Sequence, residues 1–345
     1  MALKYSPVIA RTLLSVAVAF LISPASVQAV SGRPDTLRIA TGSAGGTFLP
    51  VGHDLVAWWA QCLPDLVVLC DTTAGSAENL DRLESGEADL AIVGSSPFRE
   101  ILDRWRIRGR ETEPLCALGT LYIDAEQYVV RSSLVRVGNL IDLNGLLMYP
   151  GPHQSGAEID TRRILDLLGI EPRYVYAEER DKGYTAAARA LVRGDFDAVT
   201  FSGGVPIEAV EALFAEHPGE FRILPFSRHM LNKLQTRDGD FDGVVIRRAS
   251  YPGMGEDVQT VGGPNLLVAG PRVPAHLLAA LDGAVRAGVR NPGQGLRRAG
   301  SHPVLQALDL ELWQLRSVGG GCPGMGLADR DGDHGENAET DVAPR

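Results

Sequence analysis

Hydrophobic positions follow two periods in this chain: short continuous apolar runs give way to stretches with an apolar residue every three or four positions. The first run, Leu37-Arg38-Ile39-Ala40-Thr41, ends in Gly42-Ser43-Ala44-Gly45-Gly46-Thr47, after which Val51, Leu55, Trp58 and Cys62 recur at helical spacing. That pattern predicts a strand, a glycine loop and a helix. Val67-Val68-Leu69 begins the same series again, with Thr73-Ala74-Gly75-Ser76 as the loop and a short helix that carries Leu80 and Leu83 and stops at Gly86. Asp89 opens a third buried strand, Leu90-Ala91-Ile92-Val93, which runs into Gly94-Ser95-Ser96-Pro97. Strands alternating with helices predict a mostly parallel sheet in an α/β fold, because parallel neighbours need a crossover and a helix supplies it.

A second stretch follows the same grammar. Leu146-Leu147-Met148-Tyr149 leads into Pro150-Gly151-Pro152-His153-Gln154-Ser155-Gly156, then a helix with Ile164, Leu165 and Leu168 on one side and Gly169 as its stop. Leu191, Gly194 and Asp197, followed by the strand Ala198-Val199-Thr200-Phe201, stand 108 residues after Leu83, Gly86 and Asp89. The expected architecture is two similar α/β lobes joined by a hinge, with a central cleft. Lobe 1 takes residues 34–130 and 258–316, and lobe 2 takes 131–257. Leu121 to Arg131 holds two strand-like runs without a glycine and predicts the crossover. The chain turns back near Gly243-Val244-Val245-Ile246, Pro264 to Ala269 reads as a strand rejoining lobe 1, and Val273 to Ala287 as a helix packed on it.

The two ends of the chain differ from this core. Lys4 and Arg11 form a short positive region before an apolar run from Leu13 to Ile22, and Val27-Gln28-Ala29 offers small residues for cleavage, which predicts a secretory signal peptide over residues 1–29. The run is shorter than the roughly 20 residues a membrane span requires. A periplasmic protein is therefore expected. Residues 317–345 are polar, glycine-rich and acidic, and predict a disordered tail. Cys62, Cys70, Cys116 and Cys322 form no C-x-x-C pair; in an oxidising compartment Cys62 and Cys70 either close a small loop or remain two buried free thiols.

Charge and motif content narrow the chemistry. The formal net charge of −10 opposes nucleic-acid binding, which needs a basic face. Gly42 to Thr47 lacks the Lys-Ser/Thr ending of a P-loop, and no G-x-S-x-G, H-E-x-x-H or S-x-x-K motif supplies a nucleophile or a metal. No enzyme, metal or cofactor is expected. Glycine and serine loops after strands place backbone N–H groups at helix starts, where they hold carboxylates without a cationic side chain. Four such loops, two per lobe, point to Ser43, Thr47, Ser76, Asn79, Ser95, Ser155, Ser202 and Gly203 as ligand contacts, although any one loop alone is an ordinary turn and cap. Glu126 and Gln127 in the crossover add candidate polar contacts.

Arg38-Ile39-Ala40-Thr41-Gly42-Ser43-Ala44-Gly45-Gly46-Thr47-Phe48 resembles the opening of TAXI-type solute-binding proteins, the extracytoplasmic receptors associated with tripartite ATP-independent periplasmic (TRAP) transporters. Thr73 to Leu80 with Gly86 to Ala91 resembles their second block, Tyr149 to Gly156 their second-lobe loop, and Tyr251-Pro252-Gly253 with Gln259-Thr260-Val261 their return segment. The resemblance implies a periplasmic-binding-protein-like fold, adds Phe48 and Gly156 to the ligand contacts, and implies a monomer that captures a small anionic or zwitterionic ligand, dicarboxylate or glutamate-like, for a TRAP-type membrane permease. A bilobal sensor or adaptor that signals to a membrane kinase fits the same residues. This chain departs from the family pattern at Gly94-Ser95-Ser96, at His153-Gln154 and in its C-terminal block around Cys322.

Overall fold

The computed structural model describes residues 35–314, apart from 108, 110–114, 176–182, 238–240, 292, 294 and 299. The expected signal segment and acidic tail lie outside the described residues. Strand β1 (Asp35–Ala40) leads through helix α1 (Phe48–Cys62) to β2 (Leu66–Asp71), and α2 (Ser76–Ser85) leads on to β3 (Leu90–Gly94). β1 lies between β2 and β3 and is parallel to both. All of β3 is buried, because helices cover both faces of the sheet and a strand in that place has no solvent side. β2 is an edge strand and alternates instead, with Leu66 and Val68 inward and Val67 and Leu69 exposed.

After α3 (Ser95–Ile107) and β4 (Cys116–Ile123), the chain enters a second sheet at β5 (Ala125–Arg131). The second lobe continues with β6 (Leu147–Tyr149), α4 (Gly156–Leu168), β7 (Arg173–Tyr174), α5 (Tyr184–Arg193) and β8 (Ala198–Gly203). It closes with α6 (Glu208–Glu216), β9 (Phe221–Ile223) and α7 (Arg228–Arg237), and then a two-stranded antiparallel pair, β10 (Asp242–Ile246) and β11 (Val258–Gly262). β12 (Pro264–Ala269) returns to the first sheet, followed by α8 (Ala275–Arg290), α9 (Pro303–Gln306) and α10 (Leu310–Gln314). The strand orders are β2-β1-β3-β12-β4 and β7-β6-β8-β5-β9. In both, the fourth strand is antiparallel to its neighbours; the returning β12 fills in one sheet the place that the outgoing β5 fills in the other.

The 108-residue offset extends across whole elements. α2 and α5 begin and end at that spacing, and Gly86 and Gly194 close them in the left-handed conformation, φ 75° and 84°, that glycine adopts without a side-chain clash. Asp89 and Asp197 do the same work in each lobe: their carboxylates accept from the N–H of Arg38 (2.8 Å) and of Leu147 (2.9 Å).

Each sheet carries apolar packing on two faces. In lobe 1, Val51, Leu55, Trp59, Leu281, Val285 and Trp313 pack on one face, and Leu80, Leu83, Phe98, Ile101 and Trp105 on the other. In lobe 2 the corresponding layers are Ala187, Leu191, Val210 and Leu213, and Ile164, Leu165, Met230 and Leu234. The lobes are joined at two adjacent points. Asp124 lies between β4 and β5, and its N–H donates to the Gly263 carbonyl (3.0 Å); the Gly263 N–H, between β11 and β12, donates back to Asp124 Oδ1 (2.7 Å). A Cβ on Gly262 would collide with the Asp124 carbonyl, so the second crossing passes the first only as glycine.

Two sequence expectations change here. β5 pairs with β8 and β9, and β11 with β10, so the chain changes lobe at Asp124 and Gly263 rather than near residues 130 and 258. The apolar runs on either side of Asp124 read as one pattern, which hid the break. Cys62 and Cys70 are free thiols, so no disulfide closes the loop between them. Cys116 is disulfide-bonded. Among the described residues no helix is long and apolar enough to cross a membrane.

Candidate functional site

Where the lobes meet, they enclose a cavity of about 50 Å³. Lobe 1 walls it with the loop before α1 (Gly42, Ser43, Gly46, Thr47), the loop before α2 (Ala74, Gly75) and the start of α3 at Pro97. Lobe 2 contributes the starts of α4 and α5, at Ser155 to Ala157 and Tyr184, with Ser202 from β8. Helix starts leave N–H groups without intrahelical partners and carry partial positive charge, so several of them facing one space favour a ligand's anionic end. Asp124 at the junction and Asn265 on β12 complete the wall.

The lobes are closed on one another. Thr47 Oγ1 donates to the Gly204 carbonyl (3.1 Å), the N–H groups of Ala77 and Glu78 donate to the Gln154 carbonyl (3.2 and 3.3 Å), and the Ala209 N–H donates to the Gly45 carbonyl (3.1 Å). Ser96 Oγ reaches from lobe 1 to Asp160 Oδ1 on α4 at 2.6 Å, and accepts from Arg163 Nη1 at 3.1 Å. Inside the lobes, the 108-residue offset appears again. The Gly94 N–H donates to Ser76 Oγ (3.1 Å) and the Ser202 N–H donates to the Tyr184 hydroxyl (2.8 Å), two equivalent ties between a helix start and a strand end.

Of the residues expected from sequence, Ser43, Thr47, Phe48, Ser76, Ser155, Gly156 and Ser202 line the cavity. Five others are placed elsewhere. Asn79 is fully buried behind the wall: its Nδ2 donates to the carbonyls of Thr41 (2.7 Å) and Ile92 (2.8 Å), and its Oδ1 accepts from Thr73 Oγ1 (2.6 Å). All its bonding capacity goes into bracing β1, β3 and the loop between them, which leaves none for a ligand. Ser95 and Glu126 line a smaller adjoining cavity of about 10 Å³ that shares Asp124 and Asp160 with the first. Gln127 is fully buried on β5 and reaches neither space, and Gly203 abuts Thr47 where the lobes touch.

The electrostatics centre on three carboxyls, of which only Glu126 was singled out from sequence. Burial pushes the Asp124 carboxyl above the usual range, and hydrogen bonds from the Gly263 N–H, the Asn265 side chain and Ser202 Oγ offset this only in part. Glu126 is pushed well up, first by burial and then by the charges of Asp160 and Asp124; Ser202 Oγ, 2.5 Å from Oε1, pulls it back. Asp160 is pushed well up by burial, with Asp124 and Glu100 adding to the shift and Ser96 and Arg163 opposing it. Geometry agrees. Ser202 Oγ contacts both Glu126 Oε1 and Asp124 Oδ2 (3.3 Å), which holds the two acidic side chains close together. Polar atoms without partners remain nearby: Glu126 Oε2, and Oδ1 of Asn265, which is fully buried.

Asp124, Asp160, Asn265 and Tyr184 carry no glycine-loop signature, because they lie in or beside regular elements. Two of them left a trace. Asp160 lies three residues after Ala157 and four before Ile164, inside the apolar stripe of α4, and Asn265 opens the apolar run of β12. A charged or amide residue on a buried face is the readable signal.

Similar proteins come from two comparisons. Among solved structures, the chain is similar to the alkanesulfonate-binding protein from Xanthomonas axonopodis pv. citri bound to MOPS, with 18% identity, a TM-score of 0.46, and 80% of each chain covered. It is similar to the periplasmic aliphatic sulphonate binding protein from Escherichia coli, with 18% identity, a TM-score of 0.41, and coverage of 74% of this chain and 70% of that one. The ligand-binding core of GluR0 in complex with L-glutamate has 12% identity and a TM-score of 0.43, with 73% of this chain and 91% of that one covered. The sequence model of the NMT1-like family matches residues 39–281, which take in both lobes and every residue named in the cavity wall, and the chain belongs to the NMT1-like family.

Proposed function

We propose that this chain is an extracytoplasmic solute-binding receptor that closes its lobes over a small polar ligand and hands it to a membrane permease. The observation that carries the reading is the pairing of Asp124 with Gly263, which brings both chain crossings side by side at the cavity. Rotation about so narrow a junction opens the cleft at the cost of a few polar contacts between lobes, the geometry of hinge closure around a ligand. Capture and release need no catalytic step or cofactor.

In finer terms, the receptor is TAXI-type, its partner is a TRAP-type permease, and its ligand is a small organic anion or amino acid. Residues 1–29 direct export to the periplasm, where the mature chain acts as a monomer. A thermal-shift screen over dicarboxylates, oxo acids and amino acids tests the reading. A ligand present at 100 times its Kd stabilises the folded state by about 2.7 kcal/mol and raises the melting temperature by several degrees. Uptake of that ligand by proteoliposomes holding the permease should depend on the added chain. A screen in which no solute raises the melting temperature contradicts the proposal.

A further inference from the structure

Three buried carboxyls meet where the lobes join. Asp124 lies at the junction itself, Glu126 two residues further on in β5, and Asp160 on α4. Ser202 Oγ contacts Glu126 Oε1 (2.5 Å) and Asp124 Oδ2 (3.3 Å), and Ser96 Oγ carries the cluster across the cleft by donating from lobe 1 to Asp160 Oδ1 (2.6 Å). The three acids border a cavity of about 10 Å³ whose opposite walls belong to different lobes, Gly94 to Pro97 on one side and Glu126, Asp160 and Phe241 on the other. A space of that size admits about one water. Parting the lobes separates the two walls and hydrates the acids.

The surrounding elements do little to balance this acid. Toward Asp160, α3 turns Ser96 and a further acid, Glu100, while α4 itself supplies Arg163, whose Nη1 also donates to Ser96 Oγ (3.1 Å). Elsewhere on α4, Glu158 pairs with Arg162 and Asp166 is exposed. The phenols of Tyr122 on β4, Tyr128 on β5 and Tyr184 on α5 face the same acids, and burial keeps them protonated. β8, β11 and β12 bring the neutral Ser202, Thr260 and Asn265. On α7, Lys233 Nζ donates to the Leu168 carbonyl at the far end of α4 (3.2 Å), and Arg228, His229 and Arg237 are exposed, as are Arg222 on β9 and Asp242 on β10. Arg131, at the far end of β5, donates to the carbonyls of Leu191 and Val192. Among the described residues, three acids thus face one guanidinium. Ionised carboxylates buried together without matching cations are far costlier than the same groups protonated.

We infer that Asp124, Glu126 and Asp160 form a proton-operated latch: closing the lobes draws a proton into the cluster, and losing that proton favours opening. The latch rests on the hinge of the receptor reading above and on no particular ligand. In the closed chain, burial and then like charge hold Glu126 and Asp160 well above the ordinary carboxylate range, whereas hydration in the open chain returns them toward it. A carboxyl raised in this way stabilises the closed form fully below its ordinary value, and the contribution is lost as pH rises through the raised one. Acid therefore favours closure. Across that window, each proton taken up shifts the closure equilibrium about tenfold per pH unit. A receptor built this way grips its ligand in acidic surroundings and releases it more readily as pH rises.

Small-angle scattering of the mature full-length chain without ligand, taken from about pH 5 to about pH 8, tests the latch; the radius of gyration should rise with pH. Asp160→Asn and Glu126→Gln each replace an acid by a neutral side chain of the same shape. Each should stay compact to higher pH than the parent, and the double variant should stay compact throughout, with melting curves confirming that the variants fold. If the double variant fails to fold, the single variants carry the comparison. Repulsion between net-negative lobes also opens a chain as pH rises, but about 0.5 M salt screens it, whereas a buried cluster is screened much less. The pH dependence should therefore persist in that salt. A radius that stays constant with pH, rises equally in the variants, or loses its pH dependence in salt overturns the latch. The receptor reading survives each of those results and falls instead if no solute raises the melting temperature at neutral pH.

Discussion

The lobes share a plan, and they differ at the positions that face the cavity. Thr47 and Ser155 occupy the N-cap positions of α1 and α4, 108 residues apart, but only Ser155 caps its own helix, accepting from the Glu158 N–H at 3.1 Å. Thr47 turns its hydroxyl across the cleft to Gly204 instead. Further along the same helices, buried Gly52 in α1 has Asp160 as its counterpart in α4, and buried Asn79 in α2 has Ala187 in α5. At these positions lobe 1 braces its own strands with Asn79 and presents neutral loops to the cavity, whereas lobe 2 packs Ala187 in the equivalent place and turns the Asp160 carboxyl toward the cavity. A repeated scaffold sets where residues sit, and single substitutions within it divide the chemistry between halves.

The largest effect expected from breaking this division comes at Asn79. Asn79→Ala removes two donors from the buried carbonyls of Thr41 and Ile92 and one of the two acceptors of the Thr73 hydroxyl, at a cost of about 2–4 kcal/mol. The melting temperature should fall by about 5–15 °C, read by calorimetry or circular dichroism. Ala187→Ser in the other lobe tests the contrast, since no network there awaits a polar group.

Asp160 gives the next effect, and its sign is opposite. Burial holds its carboxyl well above the ordinary range in the folded chain, with Asp124 and Glu100 adding to the shift and Ser96 and Arg163 opposing it. Such a group favours the fold fully below the unfolded carboxylate range, and that contribution is lost as pH rises through the raised folded value. Asp160→Asn should therefore melt above the parent at pH 7.5 without ligand, and the two curves should converge as pH falls toward 4. A variant less stable than the parent at neutral pH would mean that the Arg163 attraction outweighs burial.

Smaller effects separate the two caps. Ser155→Ala should cost about 1 kcal/mol of stability, a shift of about 2–4 °C. Thr47→Val should leave the melting temperature of the ligand-free chain nearly unchanged, because Thr47 caps nothing. It should weaken ligand binding by about twofold to tenfold through the lost bond between closed lobes. Reversal of these two results would erase the distinction between the caps.

Much of the scaffold can be read from the chain alone, because apolar periodicity determines it. Leu90 to Val93 announces a strand covered on both faces, Gly169 announces the end of α4, and the spacing of Leu83, Gly86 and Asp89 from Leu191, Gly194 and Asp197 announces the repeat. The lobe boundary was harder. Asp124 interrupts an otherwise continuous strand pattern, and only the pairing of β5 with β8 reveals that the chain has changed sheets there. The site was half legible: Ser43, Thr47 and Ser155 lie in glycine loops that advertise themselves, whereas Asp160 and Asn265 sit within regular elements and matter through partners remote in sequence. Asn79 shows the converse, a loop-adjacent polar residue whose bonds all turn inward.

The proposed receptor works only if the lobes close over a bound small molecule about Asp124 and Gly263. Small-angle scattering of the mature chain, with and without a solute that raises its melting temperature, measures this directly. The radius of gyration should fall when ligand is added, as the contacts of Thr47 with Gly204 and Ser96 with Asp160 form across the cleft. Saturated binding with no change in radius would contradict the hinge and with it the receptor mechanism.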